Sequence, residues 1–270
     1  MGALADHAWA APLGRAVVGL YSRAYDIDTS ECRKTEGWRS FDEFFTRELR
    51  GGARPLEGDD RVLVSPADGR VDSMGPISSS STFLVKGRPY RVDELVGDAT
   101  EARRYEGGAG CVVYLSPRDY HRVHSPVRGK ITEIRSLPGD YYPVNAIGID
   151  HVKDLFAINR RVAICIDTPD DVGLGRVTVV MVAAIVVGRI TVTGIDAQDV
   201  PLGLHRMSPG LEIERGDELG IFHLGSTAVV FVEPQAAGRW LASEGPIQYG
   251  RGLLEARHEG HGARSKGTSE

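Results

Sequence analysis

The sequence predicts an α+β fold with a mainly antiparallel β core and helices near the amino terminus. After Pro55 the chain consists of short runs rich in β-branched residues, separated by turns that contain Gly, Pro and Asp. This pattern is typical of β-sandwiches and β-barrels. Before Pro55, apolar residues recur at helical spacing instead. We therefore expect a barrel-sandwich-like core that follows a helical region.

Two helices are predicted in the amino-terminal region, residues 1–54. The first covers residues 7–24 and carries its apolar side chains along one stripe. Such a helix either packs on the protein's own core, which is the more common case, or lies on a membrane surface. The second is predicted from Ser40 to about Arg50, because Ser40 can cap it and Glu43 stands at the capping-box position.

One β-rich domain is predicted over residues 55–250. Its segment LEIERGDELGIF alternates around a turn and is predicted to be a hairpin. Gly188 and Gly194 are predicted turn or bulge positions. Residues 251–270 are polar and Gly-rich, which predicts a disordered tail. The predicted strands are RVLV, FLV, GCVVYL, KITEI, VAICI, RVTVVMV, IVVGRITVT, LEIE and STAVVFV.

Composition and charge exclude several classes of protein. The formal net charge is −5, whereas nucleic-acid binders usually present a basic face, so no nucleic-acid partner is expected. Cys32, Cys111 and Cys165 form neither a disulfide framework nor a metal motif, and no metal is expected. The longest apolar run is well below the roughly 20 residues that span a bilayer.

Three segments combine reactive side chains with turn formers: SPADG with Asp68, SPRDYHRVHSP with His121 and His124, and LGST with Ser226. Taken alone, Asp68 is typical of a turn, and two histidines at this spacing lack a third metal ligand. LGST lacks the second glycine of a nucleophile elbow and precedes a strand-like run. These patterns therefore argue against a conventional serine hydrolase.

Asp68, His124 and Ser226 form a charge-relay set only if the fold brings them together. The residue before the serine suggests an unusual target for it. Gly225 has no side chain, so the carbonyl that precedes Ser226 is open to attack. A strained bend there would place Ser226 Oγ against its own peptide bond.

Several motifs together resemble the bacterial type of phosphatidylserine decarboxylase. They are PADG, YLSPRDYHRVHSP, LPGDYYPVN, LFAINRRV and LGST, and FDEFFTRELR resembles the amino-terminal motif of the same family. The similarity runs in the same order from about Phe41 to Pro234. It implies that residues 55–250 are a catalytic domain. It also implies a proenzyme that matures into a β chain, residues 1–225, and an α chain, residues 226–270.

The resemblance also implies roles for individual residues. The chain would cut itself between Gly225 and Ser226, with Asp68 orienting His124 and His124 acting as the general base on Ser226. Ser226 would become a covalent pyruvoyl group that forms a Schiff base with the substrate amine. His121 would assist decarboxylation or protonation.

The resemblance implies phosphatidylserine as substrate, with phosphatidylethanolamine and CO2 as products. It further implies a membrane surface as partner, a homo-oligomer of cleaved heterodimers, and a peripheral location on the cytoplasmic face of the cell membrane. Ala183 stands where many members have glycine, which leaves the choice of substrate open. Two alternatives remain: a pyruvoyl-dependent decarboxylase of a soluble amino acid, and a non-catalytic carrier-like binding module, suggested by the segment RGDELG.

Overall fold

The structure is a computed structural model that describes residues 11–185, 189–223 and 226–257, with the backbone alone at 11–13 and 146–147. Its helices are α1 (Ala11–Tyr25), α2 (Phe41–Phe45), α3 (Val92–Val96), α4 (Ala99–Arg104), α5 (Ala146–His151) and α6 (Leu155–Ile158). Its strands are β1 (Val62–Val64), β2 (Gly69–Pro76), β3 (Thr82–Val85), β4 (Arg88–Arg91), β5 (Ala109–Leu115), β6 (Arg122–His124), β7 (Gly129–Leu137), β8 (Arg161–Asp167), β9 (Arg176–Val182), β10 (Ile190–Val192), β11 (His205–Met207), β12 (Leu211–Ile213), β13 (Glu218–Phe222), β14 (Ser226–Val232), β15 (Arg239–Trp240), β16 (Gly245–Ile247) and β17 (Gly252–Glu255).

A nine-stranded sheet forms the core, in the order β11-β7-β8-β9-β14-β5-β2-β16, with β12 also paired to β7. Every neighbouring pair in it is antiparallel. β14 lies between β5 and β9, and all of its residues are buried. The path is open at β11 and β16, so the described strands do not close into a barrel. The predicted α+β fold with a mainly antiparallel core is confirmed.

Three smaller sheets surround the core: β1-β17-β15, β10-β13-β6 and β3-β4. The strand β17 corrects the predicted tail, because residues 252–255 pair with both β1 and β15. Leu253 and Leu254 are buried there, and this burial stabilises an ordered strand in a segment of otherwise polar sequence. The predicted tail from residue 258 onward lies outside the described residues.

The predicted hairpin over residues 211–222 is wrong. Its turn is present, since the Asp217 N–H donates to the Glu214 carbonyl at 3.1 Å and Gly216 has a φ of +88°. The two arms nevertheless separate, because β12 pairs with the start of β7 whereas β13 pairs with β6 and β10. The turn therefore connects two sheets, and the carrier-like interpretation loses the hairpin on which it rested.

The positions of other predicted elements can be compared with the structure one by one. β14 matches the run STAVVFV residue for residue. Of the run IVVGRITVT, Ile190–Val192 forms a strand, while Gly188 lies outside the described residues. Gly194 lies in a turn with a φ of +86°, as predicted. Helices were expected mostly near the amino terminus, but the short helices α3 to α6 lie within the β-rich region.

Aromatic side chains join the helices of the amino-terminal region to each other, and the Phe45 ring lies against His121 of the β-rich region with centroids 4.0 Å apart. The predicted first helix is present from residue 11 as α1, and residues 7–10 lie outside the described part. The Tyr21 ring lies 4.9 Å from the Phe41 ring and 6.1 Å from the Phe44 ring. Of the described helices, none is long and apolar enough to cross a bilayer.

The helix α2 begins as predicted but ends earlier than predicted. The Ser40 Oγ accepts from the Glu43 N–H at 3.1 Å, which is the expected cap. The helix was expected to reach Arg50, but it ends at Phe45. Residues 48–50 instead run beside residues 31–33, joined by backbone hydrogen bonds of 2.8 and 2.9 Å.

Candidate active site

The predicted nucleophile lies at the start of the central strand. Ser226 is the first residue of β14 and faces Leu115 of β5. Its side chain is fully buried, and within the described residues its Oγ has no hydrogen-bond partner. A buried polar atom without a partner costs about 1–3 kcal/mol, and Thr227 Oγ1 beside it is in the same state among the described residues. The Ser226 hydroxyl is therefore available for a reaction. Gly225, the other half of the predicted junction, lies outside the described residues.

His121 is a fully buried, neutral imidazole with a free nitrogen. Its Nδ1 lies 2.8 Å from the Asp119 carbonyl, which can only accept, so Nδ1 carries the proton and Nε2 a lone pair. Nε2 is buried and has no partner in the described part of the chain. Burial, and secondly the positive charge of Arg47, lower the pKa of His121 to about 3. The side chain can therefore accept a proton only when a reaction delivers one at Nε2.

His124 is also neutral, but both of its ring nitrogens are hydrogen-bonded. Nδ1 donates to the Gly216 carbonyl at 2.7 Å, and Nε2 accepts from the Tyr120 hydroxyl at 3.1 Å. The ring stacks on Tyr249 with centroids 3.9 Å apart and planes 5° apart. Burial lowers the pKa of His124, while the Gly216 carbonyl raises it by a smaller amount. The basic nitrogen of His124, Nε2, thus already accepts a hydrogen bond from Tyr120.

The structure does not join Asp68 to His124 by a hydrogen bond. The Asp68 carboxylate accepts from Arg54 Nη2 at 2.7 Å and from the Tyr249 N–H at 2.9 Å. Both members of the Asp68–Arg54 pair are almost completely buried. Asp68 therefore acts on His124 indirectly, because it holds the backbone of the tyrosine on which the His124 ring stacks. Its negative charge also favours the protonated imidazole.

Asp68 and Ser226 lie at the same end of β5, because Arg70 pairs with Tyr114 and Ser226 pairs with Leu115. A Cβ at Gly69 would lie 2.2 Å from the Tyr114 carbonyl oxygen, so only glycine allows β2 to come this close to β5 beside Asp68. The backbone of His121 is tied to the end of β13, since its carbonyl accepts from the Phe222 N–H at 3.0 Å. The predicted residues thus come from three chain segments that border the start of β14.

Four residues that support the predicted site residues were missed from the sequence: Arg47, Arg54, Tyr120 and Tyr249. Arg47 Nη2 donates to the Arg118 and Asp119 carbonyls at 2.8 and 3.1 Å, which fixes the loop before His121. Two of the four lie inside quoted motifs, Arg47 in FDEFFTRELR and Tyr120 in YLSPRDYHRVHSP, and that position was the available signal. The other two lie outside every motif, so no local pattern marked them.

A cavity of about 780 Å³ opens beside Asp68 and Tyr120. Acidic side chains outnumber basic ones in its lining, and three of them, Asp26, Asp28 and Glu31, come from the amino-terminal region. Ser226 and His121 are absent from the described residues that line it. In the described ranges, no group of three or more His, Cys, Asp or Glu side chains is placed to hold a metal ion.

A buried serine at the head of a central strand, with neutral imidazoles in the segment that follows β5, is the arrangement expected of the class of self-processing chains. Comparison with known proteins agrees with this class. A family model described as "Phosphatidylserine decarboxylase" matches residues 41–254, which is most of the chain. The chain belongs to the phosphatidylserine decarboxylase family.

Similar curated proteins carry the same description, "Phosphatidylserine decarboxylase proenzyme". The protein from Myxococcus xanthus is 38% identical over 231 residues, which cover 83% of this chain and 80% of the relative. The protein from an Anaeromyxobacter species is 38% identical over 243 residues, 88% of this chain and 85% of the relative. The protein from Bordetella avium is 37% identical over 270 residues, 96% of this chain and 90% of the relative.

Proposed function

We propose that this chain is the proenzyme of a pyruvoyl-dependent phosphatidylserine decarboxylase. It cuts itself between Gly225 and Ser226 and then converts phosphatidylserine to phosphatidylethanolamine and CO2. The observation that carries the proposal is the buried Oγ of Ser226 at the head of β14, which has no hydrogen-bond partner among the described residues. The similarity to proenzymes of this description supports the choice of substrate.

Self-cleavage needs only the chain's own atoms up to its last step, which consumes one water and releases one ammonia. Ser226 Oγ attacks the Gly225 carbonyl carbon, the C–N bond breaks as an ester forms, and the freed amine takes up the proton that the hydroxyl lost. A base then removes the Cα proton of Ser226, and the Cβ–O bond breaks to release Gly225 as a carboxylate. The dehydroalanine that remains tautomerises to an imine, and water hydrolyses the imine with loss of ammonia.

We propose that the two histidines divide the proton transfers. His124 takes the hydroxyl proton of Ser226 during cleavage, as the resemblance implies. The hydrogen bond from Tyr120 to Nε2 adds a requirement, because that hydroxyl must turn away or pass the proton on. His121 serves the mature enzyme, where its free Nε2 can hold the proton that replaces the carboxylate.

The residues around Ser226 fit a pyruvoyl group. The backbone of Ser226 is buried at the head of β14, and His121 Nε2 is buried and unused by other described residues, so a hydrogen-bonding group of the chain is left for the substrate after Ser226 Oγ has departed with Gly225. The group supplies an electrophilic carbonyl that accepts the electron pair left behind when CO2 departs. The protein's part is to bury the reacting atoms, to exclude water and to keep His121 neutral.

We propose that the enzyme works at a membrane surface, because its substrate is a lipid. The helix α1 supports this location: Val18 is buried against the protein, whereas Leu20 is 72% exposed and Val17 and Tyr25 are also exposed. One face of the helix thus packs on the core and the other presents apolar side chains. The matured protein would be a heterodimer of residues 1–225 and 226–270 in a homo-oligomer, peripheral to the cytoplasmic face of the membrane.

The test compares purified protein on liposomal phosphatidylserine and on free amino acids, with CO2 release as the readout. We expect release from the lipid and not from the amino acids. Release from free amino acids alone would discard the lipid assignment in favour of a soluble substrate. A protein inactive on both, and still uncut on a denaturing gel, would contradict the enzyme assignment itself.

A further inference from the structure

His223 is the last described residue before the cleavage junction, and its side chain is firmly held. Its Nδ1 lies 2.7 Å from Asp42 Oδ1, and its Nε2 lies 2.9 Å from Thr191 Oγ1. Its backbone N–H donates to the Arg189 carbonyl at 3.1 Å. Both the ring and the backbone of His223 are therefore fixed by other segments of the chain.

The partner of His223 belongs to the amino-terminal region. Asp42 lies in the first turn of α2, 181 positions away in the sequence. Its second carboxylate oxygen accepts from Arg189 Nη2 at 3.2 Å. The side chains of Asp42 and His223 are only 15% and 13% exposed, so solvent and salt screen this contact less than an exposed pair. Arg189 Nη2 also lies 3.2 Å from His223 Nδ1, but the Asp42 carboxylate is nearer, at 2.7 Å, and can only accept, so Nδ1 carries a proton and donates it to Asp42.

The two sides of the junction are anchored independently. On the downstream side, Ser226 begins a strand that is hydrogen-bonded to β5 and β9. On the upstream side, the contacts of His223 are the last ones that the structure describes. Attack on a carbonyl requires the reacting atoms to lie about 3–3.5 Å apart, and an error of about 1 Å costs roughly a hundredfold in rate.

We infer that the Asp42–His223 contact is the upstream anchor that positions the junction for attack by Ser226. The inference rests on the proposed self-cleavage. Neither side chain reacts; both are positioning residues that act through the backbone leading to Gly225. The amino-terminal helix α2 therefore takes part in maturation, in addition to its packing on the core.

The test follows the cut during cell-free synthesis of the full chain by denaturing electrophoresis. Asp42→Asn and His223→Gln should each slow the appearance of fragments by about ten- to a hundredfold. The double variant should be no slower than the slower single variant, because the two side chains act as one unit. Asp42→Glu keeps the carboxylate and should recover part of the rate.

Asp170→Asn is the matched control, since this aspartate lies in an exposed turn before β9 and its side chain has no hydrogen bond or ion pair among the described residues. It should be cut at the rate of the unaltered chain. Cleavage of both single variants at that rate would overturn the inference and leave the proposed function intact. If the unaltered chain were never cut, the proposed function itself would be overturned, and the inference that rests on it would fall with it.

Treatment with hydroxylamine shows whether a variant fails at the attack of Ser226 or at a later step of cleavage, and thermal melting shows whether the variant is folded. Hydroxylamine cuts esters, so it splits chains that have completed the attack and stalled afterwards. We expect stalled Asp42→Asn chains to resist it while they still melt cooperatively. If hydroxylamine split the Asp42→Asn chain into fragments that meet at residue 225, the positioning role would be contradicted. It would also be contradicted if the Asp42→Glu chain were as unfolded as the Asp42→Asn chain.

Discussion

At the scale of single residues, the surroundings of Nε2 separate His121 from His124. Each ring donates through Nδ1 to a backbone carbonyl, so both imidazoles present Nε2 as the basic atom. Within the described part of the chain, that atom has no partner in His121 and accepts from Tyr120 in His124. Two histidines three positions apart can thus serve different steps without a difference in charge.

Asp68→Asn tests the indirect link between Asp68 and His124. The change leaves the buried Arg54 guanidinium with Glu31 as its remaining charged partner, which should lower the free energy of unfolding by about 3 kcal/mol, the lower end of the range for a broken buried pair. It should also slow self-cleavage at least tenfold, because the support of Tyr249 weakens and the charge is lost. Thermal unfolding and a cleavage time course measure the two effects.

The double variant Asp68→Asn/Arg54→Met separates stability from chemistry. Without the buried cation, much of the lost stability should return, while cleavage should stay slow. Cleavage that recovers together with stability would mean that Asp68 holds the fold and does nothing more for the reaction.

Burial of His121 predicts acid sensitivity of the fold. A base whose pKa is lower in the folded chain binds fewer protons there, so acid favours the unfolded chain. This contribution to stability is intact above pH 6.5 and is lost progressively as the pH falls toward about 3. His121→Gln should therefore lose less stability than the unaltered chain between pH 7 and pH 4, as measured by urea unfolding. Equal losses in the two chains would show that His121 is not the buried base assigned here.

The long-range partners mark the limit of what the sequence reveals about single residues. Asp68, His121, His124 and Ser226 are visible because reactive residue types stand among turn formers. The contact between Asp68 and the Tyr249 N–H spans 181 positions. No local periodicity records such a pair, so sequence reasoning placed Asp68 directly against His124.

At the scale of elements, β14 should hold the two fragments together after cleavage. Its residues are buried and paired with strands on both sides. The fragment 226–270, which contains β14, also contains β15, β16 and β17. We expect the fragments 1–225 and 226–270 to elute as one species in native size exclusion. They should separate only in denaturant, whereas the uncut Ser226→Ala chain stays single in both. Fragments that part in native buffer would contradict this account of the central strand.

Elements were predictable where local pattern and tertiary position agree. β14 is a β-branched run in the middle of a sheet, and its bounds were predicted to the residue. β2 was missed because its sequence, GRVDSMGP, has few β-branched residues and contains a register shift between Val71 and Ser73. The arms of the predicted hairpin alternate as expected, but their pairing partners come from distant strands, which a short window cannot reveal.

At the scale of the whole molecule, α1 presents an apolar face to its surroundings. Leu20→Ser should weaken binding to vesicles of phosphatidylserine and phosphatidylcholine, because it removes an exposed apolar side chain from the proposed membrane surface. Leu84→Ser is the matched control, since Leu84 lies in β3 and is also well exposed, at 57%. Vesicle co-sedimentation measures the difference. Equal binding of the two variants would remove α1 from the proposed surface.

The central claim is that Ser226 breaks the chain before it and becomes the ketone that performs the reaction. The intact mass of a decarboxylating preparation tests this most directly. We predict two fragments that meet at residue 225, the smaller lighter than a serine-started chain by the mass of one ammonia. A single unbroken mass, or a smaller fragment that begins with ordinary serine, in a preparation that releases CO2 from phosphatidylserine would contradict it.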